Sequence, residues 1–123
     1  MQNIDDKPYI LLVEDSRLAS VFALAALTEL GCQVDVAETG EKALELAVQN
    51  QYDLIFMDLG LPNIDGITVT KELKKRKNRR QTPVVALTAH NDDTLRNKCL
   101  AAQMAGFITK PLTSAKASSF IKN

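Results

Sequence analysis

An α/β fold built on one parallel sheet is predicted by three observations. Five short β-prone runs alternate with five segments of helical periodicity, and each parallel crossover needs such a helix. The runs at 9–13, 54–57 and 83–87 are apolar throughout rather than alternating, as strands covered on both faces are. At 123 residues, 46% of them hydrophobic, the chain has room for one core, since domains cluster at roughly 100–150 residues. We take the strand order to be 2-1-3-4-5, one of the two common orders of doubly wound sheets.

Residues 1–8 are polar and acidic and are expected to form a flexible tail ahead of a domain spanning 9–123. They lack the apolar stretch of a signal peptide, and no run approaches the ~18 apolar residues of a membrane span. A cytoplasmic protein, or the cytoplasmic piece of a larger one, is therefore expected. Tyr9 to Val13 makes the first strand and stops at Glu14-Asp15-Ser16. Leu18, Val21, Phe22 and Ala25 then recur at helical spacing, Leu27 and Leu30 continue on an adjoining stripe, and Gly31 supplies a stop. Val34 to Ala37 is the second strand, and Glu41 to Gln49 carries Ala43, Leu44, Ala47 and Val48 on a second helix. Leu54 to Met57 is the third strand, ended by Asp58. Leu59 to Gly66 is loop chemistry, because Pro62 and two glycines interrupt any regular pattern. A third helix is expected from about Ile67 to Arg76, and a fourth strand from Pro83 to Leu87, closing at Thr88. A fourth helix should run from Asp92 to Ala105, a brief fifth strand from Gly106 to Thr109 before Lys110-Pro111, and a last helix from Ser114 to Asn123.

Composition excludes several function classes. Fifteen basic and fifteen acidic residues cancel, so no overall field draws the chain to nucleic acid or to an anionic membrane. Lys71, Lys74, Lys75, Arg76, Lys77, Arg79 and Arg80 cluster on one helix and the following loop, but without interleaved aromatics they read as solvated surface. Cys32 and Cys99 sit in no CxxC and near no histidine, and read as small apolar side chains. His90, the single histidine, is read as a loop residue near the mouth of the site described next.

Four of the five strands end, at the carboxyl side, in a chemically capable residue: Glu14 and Asp15, Asp58, Thr88, and Lys110. In open α/β sheets ligands bind outside those ends, where the strand order reverses. Strands one and three flank that crevice, so Glu14, Asp15 and Asp58 converge there, with Thr88 and Lys110 approaching from the side. Singly, each has a plain alternative. Asp15 or Thr88 could be a helix N-cap and Lys110 a solvated lysine. Asp58 has no immediate helix to cap. Three carboxylates at close range repel and force a proton onto one of them, a conflict that a divalent cation removes. Oxygen ligands alone point to a hard ion, Mg²⁺ or Mn²⁺. A lysine and a hydroxyl beside it suit a tetrahedral anion, and a carboxylate can act as nucleophile to form an acyl phosphate.

Taken together, these residues resemble the receiver domain of two-component response regulators, over about Tyr9 to Phe120. The likeness is carried by Glu14-Asp15, by Phe56-Met57-Asp58-Leu59, by Leu61-Pro62-Asn63-Ile64-Asp65-Gly66, by Leu87-Thr88-Ala89, and by Gly106-Phe107-Ile108-Thr109-Lys110-Pro111. The resemblance implies a flavodoxin-like doubly wound (βα)5 domain that takes a phosphoryl group onto Asp58 from a phosphohistidine. The donor would be a histidine kinase or a histidine phosphotransfer protein. It implies Mg²⁺ held by the side chains of Glu14, Asp15 and Asp58 and by the Gly60 carbonyl, with Lys110 and Thr88 on the phosphoryl oxygens. It also implies a cis Lys110–Pro111 bond that aims the lysine inward. Phe107 matches the family's switch aromatic, whose ring turns inward when Thr88 is drawn to the phosphate, changing a face that a downstream protein reads. Such a domain catalyses its own phosphorylation and is not a conventional enzyme.

Gly60 departs from the bulkier residues often found two positions after the acceptor, which opens the site and alters dephosphorylation. The short last helix implies an incomplete output face or a chain cut from a longer protein. Met57 to Pro62 resembles receivers attached to hybrid sensor kinases. An aspartyl-phosphate phosphatase of haloacid-dehalogenase type would want an acid where Gly60 stands. A flavin module would want a Ser/Thr/Gly-rich loop where Glu14-Asp15 would repel phosphate.

Overall fold

The computed structural model describes residues 7–76 and 81–121. The expectations for Met1 to Asp6, for Lys77, Arg79 and Arg80, and for the last two residues of the C-terminal helix lie outside them. Among the described residues ten elements alternate: β1 (Tyr9–Val13), α1 (Arg17–Glu29), β2 (Gln33–Ala37), α2 (Gly40–Gln49), β3 (Leu54–Asp58), α3 (Gly66–Lys75), β4 (Val84–Thr88), α4 (Asp93–Ala101), β5 (Gly106–Thr109) and α5 (Ser114–Ser118). The five strands are parallel in the order β2-β1-β3-β4-β5. Alternate side chains of the central strands feed two separate cores. Leu11, Val13, Ile55, Met57, Val84 and Ala86 pack with Ala43, Val69 and Cys99, which come from α2, α3 and α4. Ile10, Leu12, Leu54, Phe56, Val85 and Leu87 pack with Ala23 and Leu27 of α1 and Ala117 of α5. Burying a side chain the size of Phe56 or Leu12 is worth about 2–3 kcal/mol each, so the unbroken apolar runs are what holds the sheet between its layers.

Every helix begins on a side-chain cap. Ser16, Thr39, Asp65, Asp92 and Thr113 each accept a backbone N–H from the first turn of α1 to α5 respectively. α1 ends with Gly31 at φ +82° and the Cys32 N–H bonded back to the Leu27 carbonyl at 3.1 Å, the motif expected from that glycine.

Two helices end earlier than expected, and one packs by a face that the spacing did not specify. α4 stops at Ala101, four residues short of Ala105, because Gln103 adopts φ +64° and Met104 N–H turns back to Cys99 O at 3.0 Å. α5 is only five residues long, ending at Ser118 where Asn123 was expected. On α1 the buried face is Ala23, Ala26 and Leu27, whereas Leu18, Val21 and Phe22 are 83%, 58% and 51% exposed. Among the described residues no helix is long and apolar enough to cross a membrane.

Candidate functional site

The carboxyl ends of β1, β3, β4 and β5 meet on one rim of the sheet. Glu14 directly follows β1 and continues its pairing, its N–H donating to Ala37 O at 3.0 Å. Asp58 is the last residue of β3, in register with Leu87, and the next N–H, from Leu59, donates to Leu87 O at 3.0 Å. Lys110 follows β5 with its N–H on Thr88 O at 2.7 Å, and the Lys110–Pro111 peptide is cis. Glu14, Asp58 and Lys110 are thus held by sheet hydrogen bonds rather than by a free loop, which restricts how far they can drift.

Glu14, Asp15 and Asp58 place three carboxylate oxygens within 4.8 Å of one another. Glu14 and Asp58 are buried and Asp15 is exposed at the mouth. Lys110 Nζ lies 2.9 Å from Glu14 Oε1 and 3.1 Å from Asp58 Oδ1. Asp58 Oδ1 also accepts the Gly60 N–H at 3.0 Å, and Glu14 Oε2 accepts the Ser16 N–H at 3.1 Å. Thr88, buried at the end of β4, accepts the His90 N–H on its hydroxyl at 3.1 Å. Asp15 and Thr88 are therefore not helix caps; Ser16 and Asp92 do that work.

The electrostatics follow from this crowding. Burial pushes the Glu14 carboxyl up, and its hydrogen bonding with Asp58 adds to the rise, against Lys110 and the Ser16 N–H. Burial alone would push Asp58 up as well. Its hydrogen bonds with Glu14 and the Gly60 N–H, and the Lys110 charge, more than offset that and hold it below the usual carboxylate range. Burial works against the Lys110 charge, but the two carboxylates overcome it and raise the ammonium above its ordinary value. Of the pair, Glu14 is thus the carboxyl shifted toward its protonated form and Asp58 the one shifted toward its ionised form. The donor set is oxygen alone, which fits a hard divalent cation and gives a soft metal no thiolate or imidazole.

Phe107, on β5 in register with Ala86, is half-buried against the α4-side core. The guanidinium carbon of Arg96 stands 5.0 Å from the ring centroid, a contact the sequence did not reveal. Gly66, read from the sequence as a loop glycine, has a role there that the sequence did not show. It opens α3 so close to Asp58 that a Cβ there would overlap the Asp58 carbonyl oxygen. An open apolar groove of about 440 Å³ runs from Glu14 and Lys110 along Leu18, Ala19 and Phe22 of α1 to Pro111 and Leu112.

Known proteins with this arrangement are numerous. The response regulator receiver domain family matches residues 10–122. The aerobic respiration control sensor protein ArcB of Escherichia coli is 40% identical over 125 residues, covering 96% of this chain but 16% of that protein. The chain therefore spans about a sixth of the length of that relative. Among solved structures, the receiver domain of the sensor histidine kinase PA1611 from Pseudomonas aeruginosa, with a magnesium ion coordinated in its active site cleft, is 35% identical. It superimposes with a TM-score of 0.84 over 92% of this chain and 93% of that one. The receiver domain of Ssk1 from Saccharomyces cerevisiae, crystallised with the histidine phosphotransfer protein Ypd1, is 28% identical with a TM-score of 0.82, covering 91% and 84%. With the family match spanning nearly all of the chain and the same parallel sheet beneath it, this chain belongs to the response regulator receiver domains of two-component phosphorelay signalling.

Proposed function

We propose that Asp58 is the phosphoryl acceptor of this receiver, charged from a phosphohistidine on a histidine kinase or a histidine phosphotransfer protein. The observation that carries this is the placement of the Lys110 ammonium 2.9 Å and 3.1 Å from Glu14 and Asp58, within a cluster of three carboxylates. A carboxylate oxygen of Asp58 attacks phosphorus, the P–N bond to the imidazole breaks, and the ring nitrogen keeps the electron pair. An acyl phosphate results. Glu14, Asp15 and Asp58, with the Gly60 carbonyl, are the residues that would hold Mg²⁺, which when bound neutralises carboxylate charge and polarises the phosphoryl oxygens. Lys110 moves from the carboxylates to a phosphoryl oxygen, and the Thr88 hydroxyl gives up its bond from His90 to donate to another. Phe107 then repacks beside the space that Thr88 leaves. In this reading the chain is modified rather than turning over a substrate, and it works in the cytoplasm.

The donor docks on α1. Leu18 and Phe22 are exposed apolar side chains lining the groove that leads to Lys110, Val21 is exposed on the same helix, and surface of that kind beside a reactive site favours a protein partner. That Ypd1 crystallised with a receiver of the same fold supports a phosphotransfer protein as the class of donor.

Incubation with acetyl phosphate and Mg²⁺ should place an alkali-labile and hydroxylamine-labile phosphate on the chain. Asp58→Asn should remove it, and equal labelling of that variant would refute the assignment.

A further inference from the structure

We infer that Arg96 is a positioning residue that ties the loop between β4 and α4 to the Phe107 ring and holds both in the arrangement described above. The inference rests on Phe107 and Thr88 being the moving parts of the proposed switch, and adds the residue that couples them. Arg96 lies on the exposed side of α4 with its guanidinium carbon 5.0 Å from the Phe107 centroid. One end of the same group, Nη2, donates to Asn91 Oδ1 at 2.7 Å. Arginine can do both at once, because its planar fork offers an edge to an acceptor and a face to a ring.

Asn91 sits in the short link from Thr88 to Asp92, the N-cap of α4. One residue earlier, the His90 N–H donates to Thr88 Oγ1 at 3.1 Å. When the Thr88 hydroxyl leaves for a phosphoryl oxygen, the His90 bond breaks and the link is released at that end. The other end remains fastened to the ring through Asn91 and Arg96. The half-buried ring, for its part, cannot turn inward without leaving the guanidinium that covers it. The two motions therefore oppose the same tie, and breaking it favours both.

The test uses protein carrying 4-fluorophenylalanine at its four phenylalanines, with the Phe107 resonance assigned from Phe107→Leu. Beryllofluoride with Mg²⁺ serves as the phosphoryl analogue. Arg96→Ala should move the Phe107 resonance toward that of analogue-saturated wild type, and should tighten analogue binding about two- to fivefold. Asn91→Ala, which frees the loop while leaving the ring covered, should act in the same direction, and Arg96→Lys should fall between wild type and Arg96→Ala. An unmoved resonance, or analogue affinity that is unchanged or weaker in Arg96→Ala, overturns the inference while leaving the acceptor assignment standing. Failure of wild type to bind the analogue overturns both.

Discussion

Gly66→Ala tests whether the fold places the acceptor as tightly as the geometry implies. Gly66 is the first residue of α3, capped by Asp65, whose carboxylate accepts the Thr68 N–H at 2.9 Å. An added Cβ would overlap the Asp58 carbonyl oxygen and come within 2.9 Å of Met57 Cγ and 3.0 Å of Asp58 C. Alanine gains at most ~1 kcal/mol over glycine in a helix, whereas overpacking of this kind costs ~1–3 kcal/mol. The clash is with the backbone of a wholly buried strand, which has no rotamer by which to yield, so the cost wins. Restoring ordinary contact requires roughly 1 Å of separation between α3 and β3. A shift of that size at a reacting group can lower a rate ~100-fold. Gly66→Ala should therefore lower the denaturant midpoint by an amount equivalent to ~1–2 kcal/mol and slow Mg²⁺-dependent labelling from acetyl phosphate by one to two orders of magnitude, on the order of 10–100-fold. Gly31→Ala is the control. It meets no atom within 4 Å but must hold φ +82°, so it should lose ~1 kcal/mol and label normally. Wild-type midpoint and wild-type labelling in Gly66→Ala would refute the reasoning.

Lys110→Met removes the cation shared by Glu14 and Asp58, and should slow labelling on the order of 100-fold, read from initial rates at saturating Mg²⁺. Mg²⁺ should raise the melting temperature in proportion to its binding to the folded state alone, and Asp15→Asn should weaken that rise without lowering the metal-free melt; an equal rise would discard the site. Asp35 accepts the phenol O–H of Tyr9 at 2.5 Å and of Tyr52 at 2.7 Å, so Asp35→Ala should cost ~2 kcal/mol in urea unfolding. Both phenols are held above their ordinary value, Tyr9 first by that hydrogen bond and Tyr52 first by burial, so their contribution is full below pH ~10 and is lost as pH rises through the folded values. Phe22→Asp, on an exposed position of α1, should change stability by less than ~0.5 kcal/mol. It should slow transfer from a phosphohistidine donor while leaving labelling from acetyl phosphate unchanged.

What the sequence disclosed about the fold depended on whether the deciding signal was local. The ends of α1 and α4 show this well. Both helices close with the same pair of reversed hydrogen bonds, Cys32 N–H to Leu27 O with Gly31 N–H to Thr28 O, and Met104 N–H to Cys99 O with Gln103 N–H to Leu100 O. At α1 the left-handed residue is glycine and the stop was readable. At α4 it is Gln103, which announces nothing, so the helix was extended through it. Burial of Met104 against the Cys99 core is what drives glutamine into that strained backbone. The apolar residues of α1 left their packing undecided for a related reason. Leu18, Val21 and Phe22 are as apolar as a core face, and periodicity alone cannot tell a face that packs on the sheet from one kept exposed. The positions of Glu14, Asp58, Thr88 and Lys110 were legible because each follows an apolar run, and strand direction alone sends them to one rim. The Arg96–Phe107 contact, the sharing of Asp35 by two tyrosines and the approach of Gly66 to Asp58 join residues whose proximity only the packed fold creates.

The same packing explains why the site is both ready and restrained. Water is largely excluded from Glu14 and Asp58, so their mutual repulsion is poorly screened, and the Lys110 ammonium between them relieves it. On the proposed assignment, a phosphoryl group on Asp58 would carry more negative charge than the carboxylate it replaces, and would compete for that ammonium. Lys110 is anchored by its own N–H to Thr88 O, so drawing its side chain outward loads the strand end that bears the Thr88 hydroxyl. Thr88 is in turn bonded to the link that reaches α4. If Asp58 is the acceptor, two hydrogen bonds, Lys110 N–H to Thr88 O and His90 N–H to Thr88 Oγ1, would connect its counterion to the end of β4 and the link to α4. Under that proposal the rim residues would move against β1, β3 and β4, each of which is bonded to a strand on both sides.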